Sequence, residues 1–297
     1  MPAWGPILAA TDFSTAARHA ADRAARLAHE AGAELSLMHV LPGGALQELR
    51  QWLGAGSLTE QQLQAEARAL LQRQGAELQA VHGVPVRSVE AAGSAVDEIV
   101  REAETLDAAL LVLGARGQGF LRRLILGTTS ERLLPRTKRP LLVVRQTPHR
   151  AYRRVLLALD FSPWSRGAVA LARCIAPQAH LVLLNAWQVP FEGKLHFAGV
   201  TAATIDGYRR RARADATSRL HELATAAGLS AGQWTPCLVE GEASLAIAEQ
   251  EQQHDCDLVV LGKHGRSVTE DLLLGSVTRH VLAEGQADVL VSTAHRP

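Results

Sequence analysis

A chain of 297 residues, 47% of them hydrophobic, has enough apolar material for two globular domains. Its 31 basic and 30 acidic residues leave a net charge of +1, which excludes a global pull toward nucleic acid or an anionic membrane. No apolar stretch approaches the length of a membrane span, and Met1-Pro-Ala-Trp-Gly-Pro6 has neither the basic nor the apolar region of a signal peptide. Cys174, Cys237 and Cys256 stand in no metal-like spacing, so buried or idle thiols in a reducing cytoplasm are expected.

In the first half, Ile7–Ala10 reads as a short buried strand bounded by Pro6 and Asp12. Ser14 caps a helix striped by Ala17, Ala20, Ala24, Leu27, Ala28 and Ala31, which Gly32 stops. Leu35–Val40 is a second strand, and residues 43–57 read as a loop. Thr59-Glu-Gln-Gln62 has capping-box spacing for a helix that runs to Gly83. Val84–Ala91, entered through Pro85, is a third strand, and Ser94 opens the next helix. Leu110–Leu113 and Leu141–Val144 are strands four and five.

The second half repeats the pattern. Ile7-Leu-Ala-Ala-Thr-Asp-Phe-Ser14 is echoed by Val155-Leu-Leu-Ala-Leu-Asp-Phe-Ser162. Asp12 and Asp160, Gly114 and Gly262, and Gly127 and Gly275 all stand 148 residues apart. Ser162-Pro163 is read as a capping hydroxyl followed by Pro at the first helical position. Leu181–Trp187, Cys237–Glu240, Leu258–Leu261 and Val289–Ser292 are the later strands, with helices after Val200, Gly241 and Gly275. The chain is therefore one unit written twice, residues 1–147 and 151–297, joined by the polar link Gln146-Thr-Pro-His-Arg150. Alternating strands and helices imply α/β domains, each a five-stranded parallel doubly wound sheet. In the order 3-2-1-4-5 the ligand crevice falls between strands one and four, where Asp12 and Gly114 end their strands.

The doubled glycine loop carries the chemistry. Gly114-Ala-Arg-Gly117 follows a strand and Gly127-Thr128 opens a helix; Gly262-Lys-His-Gly265 and Gly275-Ser276 repeat both spacings. Glycine at a strand end exposes bare backbone to a ligand. A glycine and a hydroxyl residue at a helix start leave free N–H groups at the positive end of the helix dipole, a site for phosphate. Turn chemistry alone would explain one such loop, but two with identical spacing point to a phosphorylated ligand. This is no Walker A loop, since no Gly-x-x-x-x-Gly-Lys-Ser/Thr occurs, and Gly117-Gln-Gly119 lacks the third glycine of a Rossmann fingerprint. Asp12 and Asp160 at strand ends would accept hydrogen bonds from ribose hydroxyls or an exocyclic amine, cap the next helix, or do both. Arg116, Arg122, Arg123, Lys263 and Arg266 lie in or beside the loops as phosphate partners or solvated cations.

Other readings are weaker. Tyr208-Arg-Arg-Arg-Ala-Arg213 is flanked by Asp206, Asp215 and Glu222, a solvated helix face. His254-Asp-Cys256 with His264 or His280 lacks zinc spacing. Ser14, Ser162 and Ser276 stand in no Gly-x-Ser-x-Gly setting, so no hydrolase triad is read.

The spacing Gly-x2-Gly-x9-Gly-Ser/Thr, the strand ending in Asp-Phe-Ser, and Leu272-Leu-Leu-Gly-Ser-Val277 resemble the universal stress protein family, and the chain looks like a tandem member. The resemblance implies Rossmann-like domains that bind ATP, or another adenine nucleotide, with Mg. It places Thr11, Asp12 and the backbone of Val40 at the adenosine pocket, and Gly114, Gly117, Gly127, Thr128, Thr129 and Ser130 on the ribose and phosphates. In the second half the corresponding positions are Leu159, Asp160, Ala186, Gly262, Gly265, Gly275, Ser276, Val277 and Thr278. Two departures stand out: Thr129 where valine is usual, and Asn185-Ala-Trp187 on the second strand, where Trp187 either crowds the base or stacks on it. The resemblance further implies a cytoplasmic stress or regulatory protein, and with no dedicated general base or water-positioning residue in the sequence any turnover is expected to be slow. Such a protein would pair its repeats through Leu141–Val144 and Val289–Ser292, form a homodimer, and act through a regulatory protein partner. The alternatives are a slow ATPase or nucleotidyl transferase on the same fold, or an interaction scaffold with empty pockets.

Overall fold

The computed structural model describes residues 4–44, 52, 58–115, 128–189, 194, 197–198, 200–263 and 274–293. The expected loop at 43–57 and the glycine-loop residues 116–127 and 264–273 therefore lie largely outside the described residues. The chain divides into two compact units, Met1–Ala151 with Asp288–Thr293, and Tyr152–Ala287 with Ala294–Pro297.

The first unit is built on a sheet of β1 (Ile7–Ala10), β2 (Leu35–Pro42), β3 (Val86–Gly93), β4 (Leu110–Gly114), β5 (Leu141–Val144) and β10 (Asp288–Ser292). Their order is β3-β2-β1-β4-β5-β10. The first five strands are parallel and follow the order read from the sequence. Strands β1, β4 and β5 are apolar throughout and almost wholly buried, as a parallel sheet covered on both faces requires. The helices are α1 (Thr15–Ala31), α2 (Leu58–His82), α3 (Ala95–Thr105) and α4 (Thr128–Leu133). Helix α1 lies close to the sheet because Ala20, Ala21, Ala24, Ala25 and Ala28 have no accessible surface. It starts at Ser14, whose hydroxyl accepts from Ala17 N at 3.2 Å, and ends at Gly32 in the left-handed region, φ 63°. The third strand starts at Val86, one residue past Pro85, which has no N–H to give a ladder.

The second unit repeats the arrangement with β6 (Arg154–Ala158), β7 (His180–Trp187), β8 (Trp234–Glu240) and β9 (Leu258–Gly262), ordered β8-β7-β6-β9 and parallel. Its helices are α5 (Trp164–Ile175), α6 (Ala202–Ala226), α7 (Ala243–Gln253) and α8 (Ser276–Glu284). The strand that would be its fifth, β10, counts with the first unit, where it pairs antiparallel with β5 through Val289↔Val143, Leu290↔Leu142 and Val291↔Leu141.

One side chain anchors that added strand. Asp288 is wholly buried; its Oδ1 accepts from Arg145 N at 2.7 Å and Gln146 N at 3.0 Å, and its Oδ2 lies 3.5 Å from Arg23 Nε. Arg23, 3% exposed on α1, also donates to Arg150 O at 2.7 Å. The segment read as a polar link is thus held at both ends, at Gln146 N and at Arg150 O. Removing one partner of such a pair strands a buried charge. Asp288→Ala is expected to lower the unfolding free energy by about 3 kcal/mol, read from the first transition in urea denaturation.

Candidate functional site

In the second unit the C-terminal ends of β6, β7 and β9 open into a cavity of about 200 Å3. Ala158, Leu184, Ala186 and Leu261 give it an apolar wall, and Ala243 and Ile247 of α7 close one side. All eight described positions named for this half line it: Leu159, Asp160, Ala186, Gly262, Gly275, Ser276, Val277 and Thr278. Gly265 lies outside the described residues.

Asp160 supplies the polar centre. Its Oδ1 accepts from Ser162 N at 2.9 Å and Ser165 Oγ at 3.2 Å, so half of the carboxylate organises the turn into α5. Its Oδ2 is buried without a hydrogen-bond partner, and so is Ser162 Oγ. Both atoms belong to residues that border an apolar cavity, where an unmet polar group is costly. Ser162 therefore does not cap as expected: Ser165 N bonds the Ser162 carbonyl at 3.0 Å, and the side chain is left over. The turn is strained as well. Phe161 has φ 59° and Phe13, its counterpart, φ 64°, conformations that bulky residues seldom adopt.

The far end of the cavity is the start of α8. Gly275, its N-cap residue, makes no side-chain cap bond, and its N–H reaches Lys263 O at 3.3 Å, closing the base of the glycine loop. The neighbouring α7 is capped by Glu242, which accepts from Ser244 N at 3.2 Å and Leu245 N at 3.1 Å. Helix α8 thus meets the cavity with no side chain spent on its first amides. Thr278 Oγ1 donates to Gly262 O at 3.0 Å, and Ser130 Oγ reaches Gly114 O at 3.5 Å. These buried hydroxyls fasten the helix start to the strand end in each half. Lys263 is buried, at 6% exposed. Arg116, Arg122, Arg123 and Arg266 lie outside the described residues.

In the first unit Asp12 Oδ1 accepts from Ser14 N at 3.0 Å, the same turn. Thr11 is committed on the other face of the sheet: its hydroxyl donates to Gln74 Oε1 at 3.1 Å and accepts from Phe13 N at 3.1 Å. Val40 pairs with Ala91 near the end of β2, and Thr129 is half-buried in the first turn of α4. The side chain of Thr128, and Gly117 and Gly127, are not described.

Sequence reading missed a pair of residues that both halves use alike. His39 Nδ1 donates to Thr11 O at 2.8 Å, and Asn185 Nδ2 donates to Leu159 O at 2.7 Å. Each ties the carbonyl before the aspartate to the second strand. Their different chemistry hid the shared role, although both stand four residues past the partner of the same β1 or β6 position. Trp187 neither crowds nor stacks over this cavity. Leu184 and Ala186 face it, whereas Asn185 and Trp187 alternate to the opposite face.

The cysteines offer no nucleophile here. Burial, with help from Asp257 and Glu251, pushes the Cys256 thiol up to about 12, and burial also raises that of Cys237. A raised thiol leaves almost no thiolate near pH 8, so a disulfide reagent is expected to modify only the exposed Cys174 in the native protein. Cys174→Ser should abolish the rapid labelling phase.

These features define a class: tandem doubly wound α/β units with a cleft where strand order reverses. The model of the universal stress protein family matches residues 3–145 and again 151–293. A universal stress protein of Mycobacterium tuberculosis is 30% identical over 196 residues, 62% of this chain and 58% of that protein. One of Mycolicibacterium smegmatis is 31% identical over 199 residues, 62% of this chain and 61% of that protein. The matched stretch is thus less than two thirds of each relative's length. A universal stress protein structure from Archaeoglobus fulgidus superposes with a TM-score of 0.70, covering 96% of this chain and 97% of that one at 19% identity, a likeness of fold. The chain belongs to the universal stress protein family, with the family domain present twice in tandem.

The two loop glycines have different reasons to be glycine. A Cβ on Gly114 would stand 2.7 Å from Ala16 C and 2.8 Å from Ala16 O, backbone of the first turn of α1. At Gly275 the nearest described atom would be 3.6 Å away, and φ is −58°, open to any residue. Gly114→Ala is expected to cost about 2 kcal/mol through forced displacement of α1, whereas Gly275→Ala should leave the melting temperature unchanged; paired thermal melts check both.

Proposed function

We propose that the chain binds an adenine nucleotide, ATP with magnesium, and that occupancy serves as a regulatory signal without efficient turnover. The observation that carries this reading is the unpartnered Asp160 Oδ2 at the wall of an apolar cavity that runs to the uncapped start of α8. The apolar part suits a flat base, Asp160 and Ser162 suit ribose hydroxyls or an exocyclic amine, and the amides at Ser276–Thr278 suit phosphate. About 200 Å3 takes the base but not the whole nucleotide, so the phosphates would leave along the helix start. The freedom of Gly275 to carry a side chain supports a backbone kept bare for a ligand. Magnesium would arrive on the phosphates, with the exposed Ser276 hydroxyl as a neighbouring oxygen.

By repetition, residues 1–147 carry the same site around Asp12 and Gly114, and residues 151–297 carry the one described. Among the described residues no helix is long and apolar enough to cross a membrane. We place the protein in the cytoplasm, as a homodimer that acts through a regulatory protein partner.

Equilibrium titration of the full chain with ATP tests the reading. Asp160→Ala should weaken binding by about tenfold to a hundredfold, the worth of a hydrogen bond to a charged group. Gly275→Val should remove binding at this cavity while the protein stays folded. A binding isotherm unchanged in both variants, with no site weakened or lost, or no binding by the parent, would sink it.

A further inference from the structure

Behind the Asp160 turn, on the α6 side of the second unit's sheet, lies another cavity, of about 410 Å3. Phe161, Trp187, Ala212 and Ala216 form its apolar and aromatic surfaces, and Asp215 and Arg219 stand at its edge. The strained φ of 59° at Phe161 separates the two spaces: Asp160 borders both cavities, whereas Phe161 borders only this one. In the first unit, Phe13 stacks on His39 there, ring centroids 4.4 Å apart, and Gln74 takes the Thr11 hydroxyl. In the second unit the smaller Asn185 is drawn to Leu159 O, and α6 lines the space with the methyl groups of Ala212 and Ala216, with Asp215 and Arg219 at its edge.

The unmet chemistry there is specific. Trp187 Nε1, a donor, is buried without a partner, and Asp160 Oδ2, an acceptor, is equally unmatched. Each asks for the opposite group on a ligand. The charges disfavour an anion: two carboxylates, Asp160 and Asp215, face one guanidinium. That guanidinium lies 3.7 Å from Asp215 and 5.2 Å above the Phe161 ring centroid.

We propose that this cavity is a second ligand site, for a neutral planar heterocycle carrying a donor beside an acceptor, the chemistry of a nucleobase or nucleoside without phosphate, and that it is linked to the front cavity through Asp160. The aromatic surfaces of Phe161 and Trp187 receive the ring face. Asp160 borders both cavities with a single unmet oxygen, so a ligand that engages it behind the turn opposes one in front, and the linkage is reciprocal. The existence of the site is independent of the nucleotide reading; only the coupling rests on it.

Calorimetric titration of the full chain with uridine decides the matter. The parent should bind with a stoichiometry of one. Ala212→Leu, at a half-buried position on the rim, should abolish binding by filling the space and should leave ATP affinity intact. Trp187→Phe keeps a ring, loses the donor, and should weaken uridine about tenfold. Gly275→Val should bind uridine like the parent. Absence of saturable binding overturns the site, as does binding that survives Ala212→Leu but is lost in Gly275→Val, which would put uridine in the front cavity. Saturating uridine should raise the Kd for ATP several-fold; an unchanged Kd refutes the coupling. If ATP fails to bind the parent at all, the nucleotide reading falls while the uridine arms still decide this one.

Discussion

The strands of a parallel sheet all end on one side, and their last polar groups must be finished by something other than the ladder. In this protein the finishing group is a carboxylate just past the first strand of each repeat. Asp160 Oδ1 holds the amide of Ser162 and the hydroxyl of Ser165, which turns the chain into α5 and fixes where that helix lies. Asp12 does the same for Ser14. The turn forces the next residue, a phenylalanine both times, into the left-handed region. That strain is maintained by the hydrogen bonds around it, with the preceding carbonyl held by Asn185 or His39. Cavity wall, helix entry and strand end are in this sense one assembly, and a disturbance at the carboxylate reaches all three.

Much of this could be read from the chain because the repeat exposed it. Two copies of the strand-Asp-Phe-Ser and glycine-loop patterns, equally spaced, gave the α/β class, the strand order and the place of the cleft. The eight described positions named in the second half meet around one cavity because strand ends and helix starts are set by local signals such as Gly275 and Ser276. What escaped notice depends on side-chain choice within a fixed geometry. Ser162 and Ser14 look alike, yet only Ser14 caps, because Ser165 supplies a hydroxyl to Asp160 where the first half has Ala17. His39 and Asn185 look unlike and do the same work. Trp187 sits on a strand whose alternation turns it away from the cleft, and counting positions from Leu184 would have shown this.

The halves differ where no repeat logic could predict it. Asp288, fully buried, takes two backbone amides beyond β5 and lies against Arg23; the position 148 residues earlier is Pro140. An unpaired carboxylate there would be intolerable, so the pair and its strand stand or fall together.

That strand also sets a timetable. Residues 288–292 are made only after the whole of residues 151–287, yet they pair with β5 of the first repeat. During synthesis of the whole second repeat, β5 presents Leu141–Val144 as an unpaired apolar edge, the kind of surface that recruits stray strands. Closure then requires contacts between residues 146 to 150 positions apart, a separation that slows folding. The β5 edge is therefore the last part of that sheet to be covered, and its four apolar residues are the segment most exposed to mispairing until β10 has been made.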